Sequence, residues 1–592
     1  GTGLGNQMTS GGMISEPNLA VDEKRHRVQR RVETLCVAIG ITTLLGFTIR
    51  TYGLSNDEST YVVNNRRAAE WCHDAWKFGP ASALTTERLA QGWPYARVES
   101  RNLPLPGIVS MVGQFAVGRF DSFPAAFRWG HVFVFAITGA VIFSWIREQY
   151  SRPAAVVAVL ALVGNPRLFA HANLVAVDTL VASFWVLASY SLVKSRPQWK
   201  WAIAFAVLAG IGFTAKPTFW FAFPVWLLWG FLHKPRELWR SAICVVAVTP
   251  LTALALLPMW WLDPFGQFFG YVHMLLSDTQ GWTIGTYYLG EIYQAPGAPP
   301  VPWHSVIVLT CVTTPVWMLV LLLIGVTRAI RESGRPNADG VMWLLCGLAL
   351  PVVCMLPSTP AHDGVRLYRS AFYFAPMLIA LGFDQIFRCV HRATGETDTL
   401  GDQKPARQKT LRRSKPITGW SVVALLSLWS VWSCYRIHPG ELSYYNEFVG
   451  HLRGAAEPRP HSDSVLDYHR PRHEIAYWWE SITASELTDM QSHLPVGAKV
   501  WMYPRHDGLW LLREQGVFRS DIEFVSVGKD AEFLFLYGRF GTLLLGHPMA
   551  AVFLQGDPIW ETRIDDVRIA GLFRQEEMYR FRFSSPGLQN AR

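Results

Sequence analysis

The sequence predicts an all-α polytopic membrane module of about eleven transmembrane helices, followed by a C-terminal external α/β domain. Three observations lead there. Of 592 residues, 50% are hydrophobic and only 17% charged, whereas soluble domains carry about 25% charge. Apolar runs of membrane-spanning length recur as far as residue 435, and beyond them short apolar stretches alternate with polar ones. The 26 Trp residues suit a chain with many membrane–water interfaces, where amphipathic rings settle at headgroup depth.

A helix needs roughly 20 apolar residues to cross a hydrocarbon core of about 30 Å. By that rule the spans are 32–49, 126–146, 154–170, 179–193, 201–214, 217–232, 241–261, 303–326, 341–356, 370–387 and 419–435. The first follows the basic stretch Lys24 to Arg31 and has no small-residue cleavage pattern after it, so it reads as an uncleaved span. Orientation follows from placing basic loops in the cytoplasm. With the N-terminus inside, Arg25, Arg30 and Arg31 share one side with Arg147 and Arg152, with Lys194, Arg196 and Lys200, with Lys234, Arg236 and Arg240, with Arg328, Arg331 and Arg335, and with 388–415. Counting 103–117 as a full span would move the later clusters outside, so it reads as a re-entrant or surface helix.

The resulting organisation is a cytoplasmic segment 1–31, a membrane module 32–436 with external loops 51–125 and 262–302, and an external domain 437–592. In that domain 499–503, 522–527 and 532–537 read as strands and 485–492 as a helix. The polar stretch 394–415 reads as a cytoplasmic loop. The net charge of +9 resides in the loop clusters, which is topology rather than a nucleic-acid-binding stripe. The 8 Cys residues form neither a disulfide framework nor a zinc-site spacing.

Several polar residues stand out against this apolar background. Asp57 and Glu58, in Asn56-Asp57-Glu58-Ser59, lie just beyond the first span. There they can serve as a general base toward an acceptor hydroxyl, hold a cation, or simply start a helix. Asp178, at the end of the second external loop, is an acid in apolar company, costly unless paired or functional. Lys216, between Ala215 and Pro217, opposes the positive-inside trend and calls for an anionic partner or snorkelling. The same contrast holds for Arg366 and Arg369, in the external loop that also carries His362 and Asp363: they snorkel to outer headgroups or, collected on that face, would stabilise a phosphate leaving group. His461, His469 and His473 read as surface residues. No glycine-rich phosphate loop follows a strand, so a nucleotide sugar is not the expected donor.

These residues resemble the C-type glycosyltransferase superfamily, specifically the relatives of dolichyl-phosphate-mannose protein mannosyltransferases and of bacterial aminoarabinose lipid A transferases. Asp57-Glu58 resembles that group's first-loop acidic pair, Leu103-Pro104-Leu105-Pro106 its proline element, His171 to Asp178 its second-loop acidic motif, and Gly212 to Pro217 its Gly-to-Lys turn, with Ala215 between Thr214 and Lys216. Tyr288 to Tyr293, His362 to Arg366, Leu442 to Gly450 and Glu474 to Trp479 are similar to bacterial members. The departures are His171 or Asn173 where many relatives have Arg, and Arg369 where many have Leu or Pro.

The resemblance implies inverting sugar transfer from a polyprenyl-phosphate carrier to an acceptor on the outer face of a membrane, a bacterial inner membrane with a periplasmic site. It implies Asp57 as base, Glu58 and Asp178 as groups positioning substrates or a cation, and Lys216, Arg366 and Arg369 as donor-phosphate ligands. His171, His362, Asp363 and Glu291 would support the site. A divalent cation is an option, and no other cofactor is expected. Partners are the lipid-linked donor and membrane lipid; the acceptor class, protein, lipid or glycan, stays open, and so does the sugar. The helix-forming stretch with Phe265, Phe268, Phe269 and Tyr271 would close the cleft at the interface. A transporter or lipid flippase is the rival from another class, opposed by the lack of an internal repeat and by carboxylates gathered at one face. A non-catalytic member of the same fold is a third reading.

Overall fold

The computed structural model describes residues 16–582, except 97–101, 196–197, 233–237, 278–284, 296, 335–338, 358, 360–361, 394–418, 459–469 and 546–547. Arg196, Lys234, Arg236, Arg335, the loop 394–415, His461 and His469 therefore lie outside the described residues.

The chain is mostly helical. Among the described residues four helices are long and apolar enough to cross a membrane: Arg25–Thr48, Ala125–Gln149, Val177–Lys194 and Ser370–Val390. They become five if Arg152–Val163 and Pro166–Ala172 count as one broken span. The expected count of about eleven is not reached by this measure among the described residues, and proline divides two of the expected runs. The run 154–170 bends by 71° where the Asn165 side chain accepts from Leu168 N and Pro166 opens a new helix. The run 303–326 divides at Pro315 into Ser305–Thr313 and Val316–Arg331. Trp239–Ala255 and Asp339–Cys354 each contain a proline, Pro250 and Pro351. The 17 residues of Trp239–Ala255 measure about 26 Å, short of a core of about 30 Å. Even so, the long helices with their shorter apolar neighbours make this an integral membrane protein. Leu105–Val117 has 13 residues, too few to cross unaided. Pro264–Ser277 is a helix with Phe265 and Phe269 exposed and Tyr271 buried.

The bundle closes around Val177–Lys194, every residue of which is buried from Val177 to Leu192. Ala125–Gln149, Trp199–Phe213 and Ser370–Ala393 pack round it. Where lipid replaces water, helices associate through close packing rather than apolar burial, which favours small residues at the contact. Val316–Arg331 and Ser370–Ala393 meet in this way: a Cβ on Gly382 would lie 2.0 Å from the Leu321 carbonyl oxygen, and one on Gly325 1.8 Å from that of Leu378.

The C-terminal part is built on a five-stranded sheet of β3 (Lys499–Tyr503), β4 (Glu523–Phe524), β5 (Phe533–Tyr537), β6 (Trp560–Ile564) and β7 (Val567–Arg574), in the order β4-β3-β5-β7-β6. β1 (Thr286–Tyr288) and β2 (Glu291–Tyr293) form a separate hairpin. β3 runs parallel to β4 and β5, while β7 is antiparallel to β5 and β6. The β6–β7 hairpin turns at Asp565-Asp566, both at positive φ, the backbone sign that a tight hairpin needs. The sheet is tied to the bundle by polar contacts. Arg436 makes two bonds of 2.6 and 2.7 Å to Asp565, and Asn446 donates to the Cys311 and Thr314 carbonyls at 2.6 and 2.7 Å. Gly53 donates to the Glu480 carbonyl at 2.8 Å, so close that a Cβ there would lie 2.1 Å from the Ile482 oxygen.

Gly382→Ala should force two packed helices apart and lower stability by about 1–3 kcal/mol. Thermal unfolding in detergent, read beside Gly347→Ala, measures it; at Gly347 a Cβ would meet only Phe374 Cβ, at 3.8 Å.

Candidate active site

The helix Asn56–Phe78 begins where the first span ends. Ser55 is its N-cap and Glu58 occupies N3, where a glutamate can reach back to the cap backbone. Glu58 Oε2 accepts from Ser55 N at 2.8 Å. The same carboxylate forms a fully buried ion pair with Arg128, at 2.6 and 2.8 Å, and accepts from Val175 N at 3.1 Å. Burial opposes the Glu58 charge, and Arg128 with these donors holds its carboxyl below the usual range. Arg128 also donates to the carbonyls of Ile49, Tyr52 and Gly53. The acidic pair thus divides: Glu58 is an anchor joining three segments, with its oxygens occupied, and Asp57 faces the other way.

Asp57 meets Arg366, which gathers carboxylates from three segments. Its guanidinium pairs with Asp57 Oδ2, with Asp178 at 3.0 Å and with Asp363 at 2.8 Å. Lys216 donates to Asp178 at 2.9 Å, and Arg539 to Asp363 at 2.6 Å. Burial works against the charge on Asp363, but Arg539 and Arg366 hold it well below the usual carboxylate range. Trp478 covers the cluster, its ring centroid 3.8 Å from the Arg366 guanidinium carbon and its indole N–H 3.1 Å from Asp363. Asp57 is the acid that reaches solvent, with 32% of its side chain exposed against 4% for Asp178 and 5% for Asp363. Its backbone is set from the C-terminal domain: Asn56 and Asp507 exchange two hydrogen bonds of 2.8 and 2.7 Å, and Asn56 N donates to the Trp478 carbonyl at 3.1 Å.

Three carboxylates and three cations balance in this cluster, whereas the neighbouring cations do not. Arg167 and Arg369 are buried, 4% and 2% exposed, and among the described residues no carboxylate pairs with either. Arg369 contacts His171. Arg167 donates to the Tyr444 carbonyl at 3.2 Å and lies over the rings of Tyr445 and Tyr477. One Nη of each guanidinium and His171 Nδ1 remain without a hydrogen-bond partner among the described residues. Arg369, Arg366 and Arg167 all act on His171 electrostatically. His362 is buried beside Asp363, and burial pushes its ring down to about 4.

The structure therefore brings together Asp57, Asp178, Lys216, Arg366, Asp363 and, beside them, Arg369, His171 and His362. Glu291 is exposed at the start of β2, and Glu58 is locked to Arg128. The sequence reading omitted Arg128, Arg167, Trp478 and Arg539 from the site. The signal was present for the first two: each is a guanidinium within or at the mouth of an apolar run, where charge is costly unless functional. Arg539 carried no local signal, because it is set by Glu474, whose carboxylate accepts from Phe540 N and Gly541 N at 2.6 and 2.8 Å. Among the described residues no group of three or more His, Cys, Asp or Glu is arranged to hold a metal ion. A divalent cation taken by these carboxylates would have to displace Arg366.

Residues 117–261 match the family model described as dolichyl-phosphate-mannose-protein mannosyltransferase. That segment contains Arg128, Arg167, His171, Asp178 and Lys216 but neither Asp57 nor Arg366. No curated protein matches the chain. Solved structures similar to it include ArnT from Cupriavidus metallidurans in the apo state, with 13% identity over 93% of this chain and 99% of that one and a TM-score of 0.44. ArnT bound to undecaprenyl phosphate gives 12% identity over 91% and 97%, with a TM-score of 0.42. The Archaeoglobus fulgidus oligosaccharyltransferase in the apo form gives 14% identity over 68% and 54%, with a TM-score of 0.41. At such scores likeness assigns no residue and no substrate. The matched segment and the motif resemblance both point to relatives of dolichyl-phosphate-mannose-protein mannosyltransferases.

Proposed function

We propose that the chain transfers a sugar from a polyprenyl-phosphate carrier to an acceptor hydroxyl at the outer face of the membrane, with inversion at the anomeric carbon. The observation that carries this reading is the pair of buried guanidiniums, Arg167 and Arg369, that no carboxylate contacts among the described residues, Asp178 and Asp363 acting on Arg369 only from a distance. A buried charge without a counter-ion is strongly unfavourable, and an anion with several acceptor oxygens would satisfy the unpaired N–H groups there. A phosphodiester meets that need. A cavity of about 240 Å³ lined by apolar side chains, among them Val306, Met355, Phe372 and Ile379, would take the first part of the lipid tail. Its wall includes Phe372, three residues on from Arg369, and Asn165, two residues before Arg167.

In the transfer, the acceptor oxygen attacks the anomeric carbon, its proton passes to Asp57, and the bond from that carbon to the phosphate oxygen breaks. The electron pair leaves with the polyprenyl phosphate, whose charge Arg167, Arg369 and Lys216 stabilise. Asp57 is assigned as base for its solvent-facing side chain, while Asp178 and Asp363 hold Arg366 and the cluster in register. No metal is assigned a step.

Asp57→Asn keeps size and helix-start propensity while removing the base, so transfer should fall by about 10² or more with insertion intact. Transfer from a radiolabelled polyprenyl-phosphate sugar in reconstituted vesicles measures it, and near-normal turnover would remove Asp57 from the role. Lys216→Met should weaken donor use in the same assay.

Asp507→Ala removes the carboxylate that accepts from the Asn56 amide and leaves the backbone bonds to Asn56 in place. It should lower kcat with little change in donor KM, because the base is misplaced and the phosphate site is untouched. Equal falls in donor affinity would argue that Asp507 merely supports the fold.

The outer-face reading is checked at Cys72, which is exposed on the same helix as Asp57. A membrane-impermeant maleimide applied to intact cells should label the wild type and not Cys72→Ser. Labelling only after permeabilisation would reverse the orientation.

A further inference from the structure

A cleft of about 770 Å³ opens on the first external loop, well away from the charge cluster and within the size range of ligand sites. One wall is the helix Asn56–Phe78, from which Arg67, Glu70, Trp71, Asp74 and Phe78 line the space. These recur at i, i+3, i+4, i+7 and i+11, a single stripe along one helix face. The other wall is Thr86–Gly92, which contributes Arg88 and Gln91. Local sequence fixes the arrangement. The Thr85 side chain accepts from Arg88 N at 3.3 Å and starts the second wall. Trp71 donates to the Ala83 carbonyl at 3.0 Å and stands edge-on to Trp93, centroids 5.9 Å apart. Gly92 leaves room for it, since a Cβ there would lie 2.6 Å from Trp71 Cβ.

The lining combines two guanidiniums with two carboxylates, and Arg88 faces Asp74 at 3.6 Å. With no net charge it selects neither a polyanion nor a polycation. Its side chains are planar forks with paired donors or acceptors, suited to adjacent hydroxyls. Trp71, held edge-on by Trp93 and Trp261, and Phe78, with Lys77 Nζ over its ring at 5.1 Å, offer apolar ring surface with polar edges around it, suited to the C–H faces of a sugar ring. Peptide grooves instead present a free strand edge or a row of apolar pockets, and the residues lining this cleft form neither. Lipid chains would meet mostly charged walls.

We propose that this cleft binds a neutral carbohydrate chain, the acceptor of the transfer, an inference that rests on the glycosyltransferase reading. The helix that forms the stripe carries Asp57 near its start. Ten residues separate Asp57 from Arg67, about 15 Å along the helix and about 80° round it, so a chain of sugar units held along the stripe reaches the base by turning roughly a quarter of the way round the helix.

The test uses the full chain in nanodiscs without donor, and saturation-transfer NMR with neutral linear hexasaccharides of glucose, mannose and N-acetylglucosamine as probes. At least one should bind, and the double variant Arg88→Ala/Gln91→Ala should weaken it by about tenfold or more, while Asp57→Asn leaves binding unchanged. If the double variant has a lowered thermal midpoint, Phe78→Ala replaces it, since Phe78 is 63% exposed. No hexasaccharide binding, binding indifferent to these variants, or preference for an anionic oligosaccharide or a Ser/Thr-rich peptide would overturn the proposal. Absent cleft binding with intact Asp57-dependent transfer would sink the cleft alone. Specific cleft binding with Asp57-independent transfer would sink the catalytic assignment alone.

Discussion

The guanidinium of Arg366 is 11% exposed on its side chain and touches three carboxylates, an arrangement that is stable only because the charges arrive together. Removing Arg366 would leave three carboxylates to the two cations Lys216 and Arg539, buried charge uncompensated, which costs far more than a pair contributes net. Asp57 comes from the start of the first external helix, Asp178 from the first turn of the central buried helix, and Asp363 from the loop just before Arg366. Three distant segments are thereby held to one point. The C-terminal domain closes the set from above, with Trp478 on Arg366 and Arg539 on Asp363. That domain is therefore part of the site: it supplies an aromatic face and a cation, and through Asp507 and Asn56 it holds the segment that carries Asp57.

Electrostatics divide the site into two regions of different character. Around Arg366 positive and negative groups are matched, so the field there is short-ranged and the geometry rigid. Around Arg167 and Arg369 the cations are stacked on tyrosines or set against His171 rather than neutralised. Stacking and carbonyl contacts make a guanidinium tolerable away from water without cancelling its charge. The result is a preorganised positive region beside a carboxylate that reaches solvent. Charge developing on a leaving group would meet fixed donors there, without the reorganisation that water requires.

The bundle provides the rigid frame through close backbone approach and interruption. Glycines at the contact of Val316–Arg331 with Ser370–Ala393 bring the two backbones together, fixing the segment that begins just after Arg369. The break at Asn165-Pro166 turns the chain by 71°, and that turn brings Arg167 and His171 under the C-terminal domain, against Tyr444, Tyr445 and Trp478. Had 154–170 continued as one straight helix, these side chains would follow the helix axis through the bundle. Interrupted helices are tolerated in membranes where the freed backbone groups find partners in protein, and here Asn165 supplies one of them.

Composition, apolar runs and the placement of basic loops were sufficient to recognise a membrane protein with a mixed C-terminal part, because those properties are local and additive along the chain. Strands β3 and β5 and the helix Ala484–Ser492 were legible by the same local patterning, and the acids and cations of the cluster were visible as costly charges in apolar surroundings. The number of full-length spans was not legible, since a hydropathy run does not reveal where a proline or a capping asparagine divides a helix. The β6–β7 hairpin was missed because its strands carry charge on their faces, Glu561 pairing with Arg563 on its own strand and with Arg568 across the hairpin. Above all, partnership could not be read from sequence. That Glu58 is spent on Arg128 while its neighbour Asp57 faces Arg366, and that Arg167 and Arg369 lack counter-ions while Lys216 has one, depends on which segments meet across hundreds of residues, and only the tertiary structure decides that.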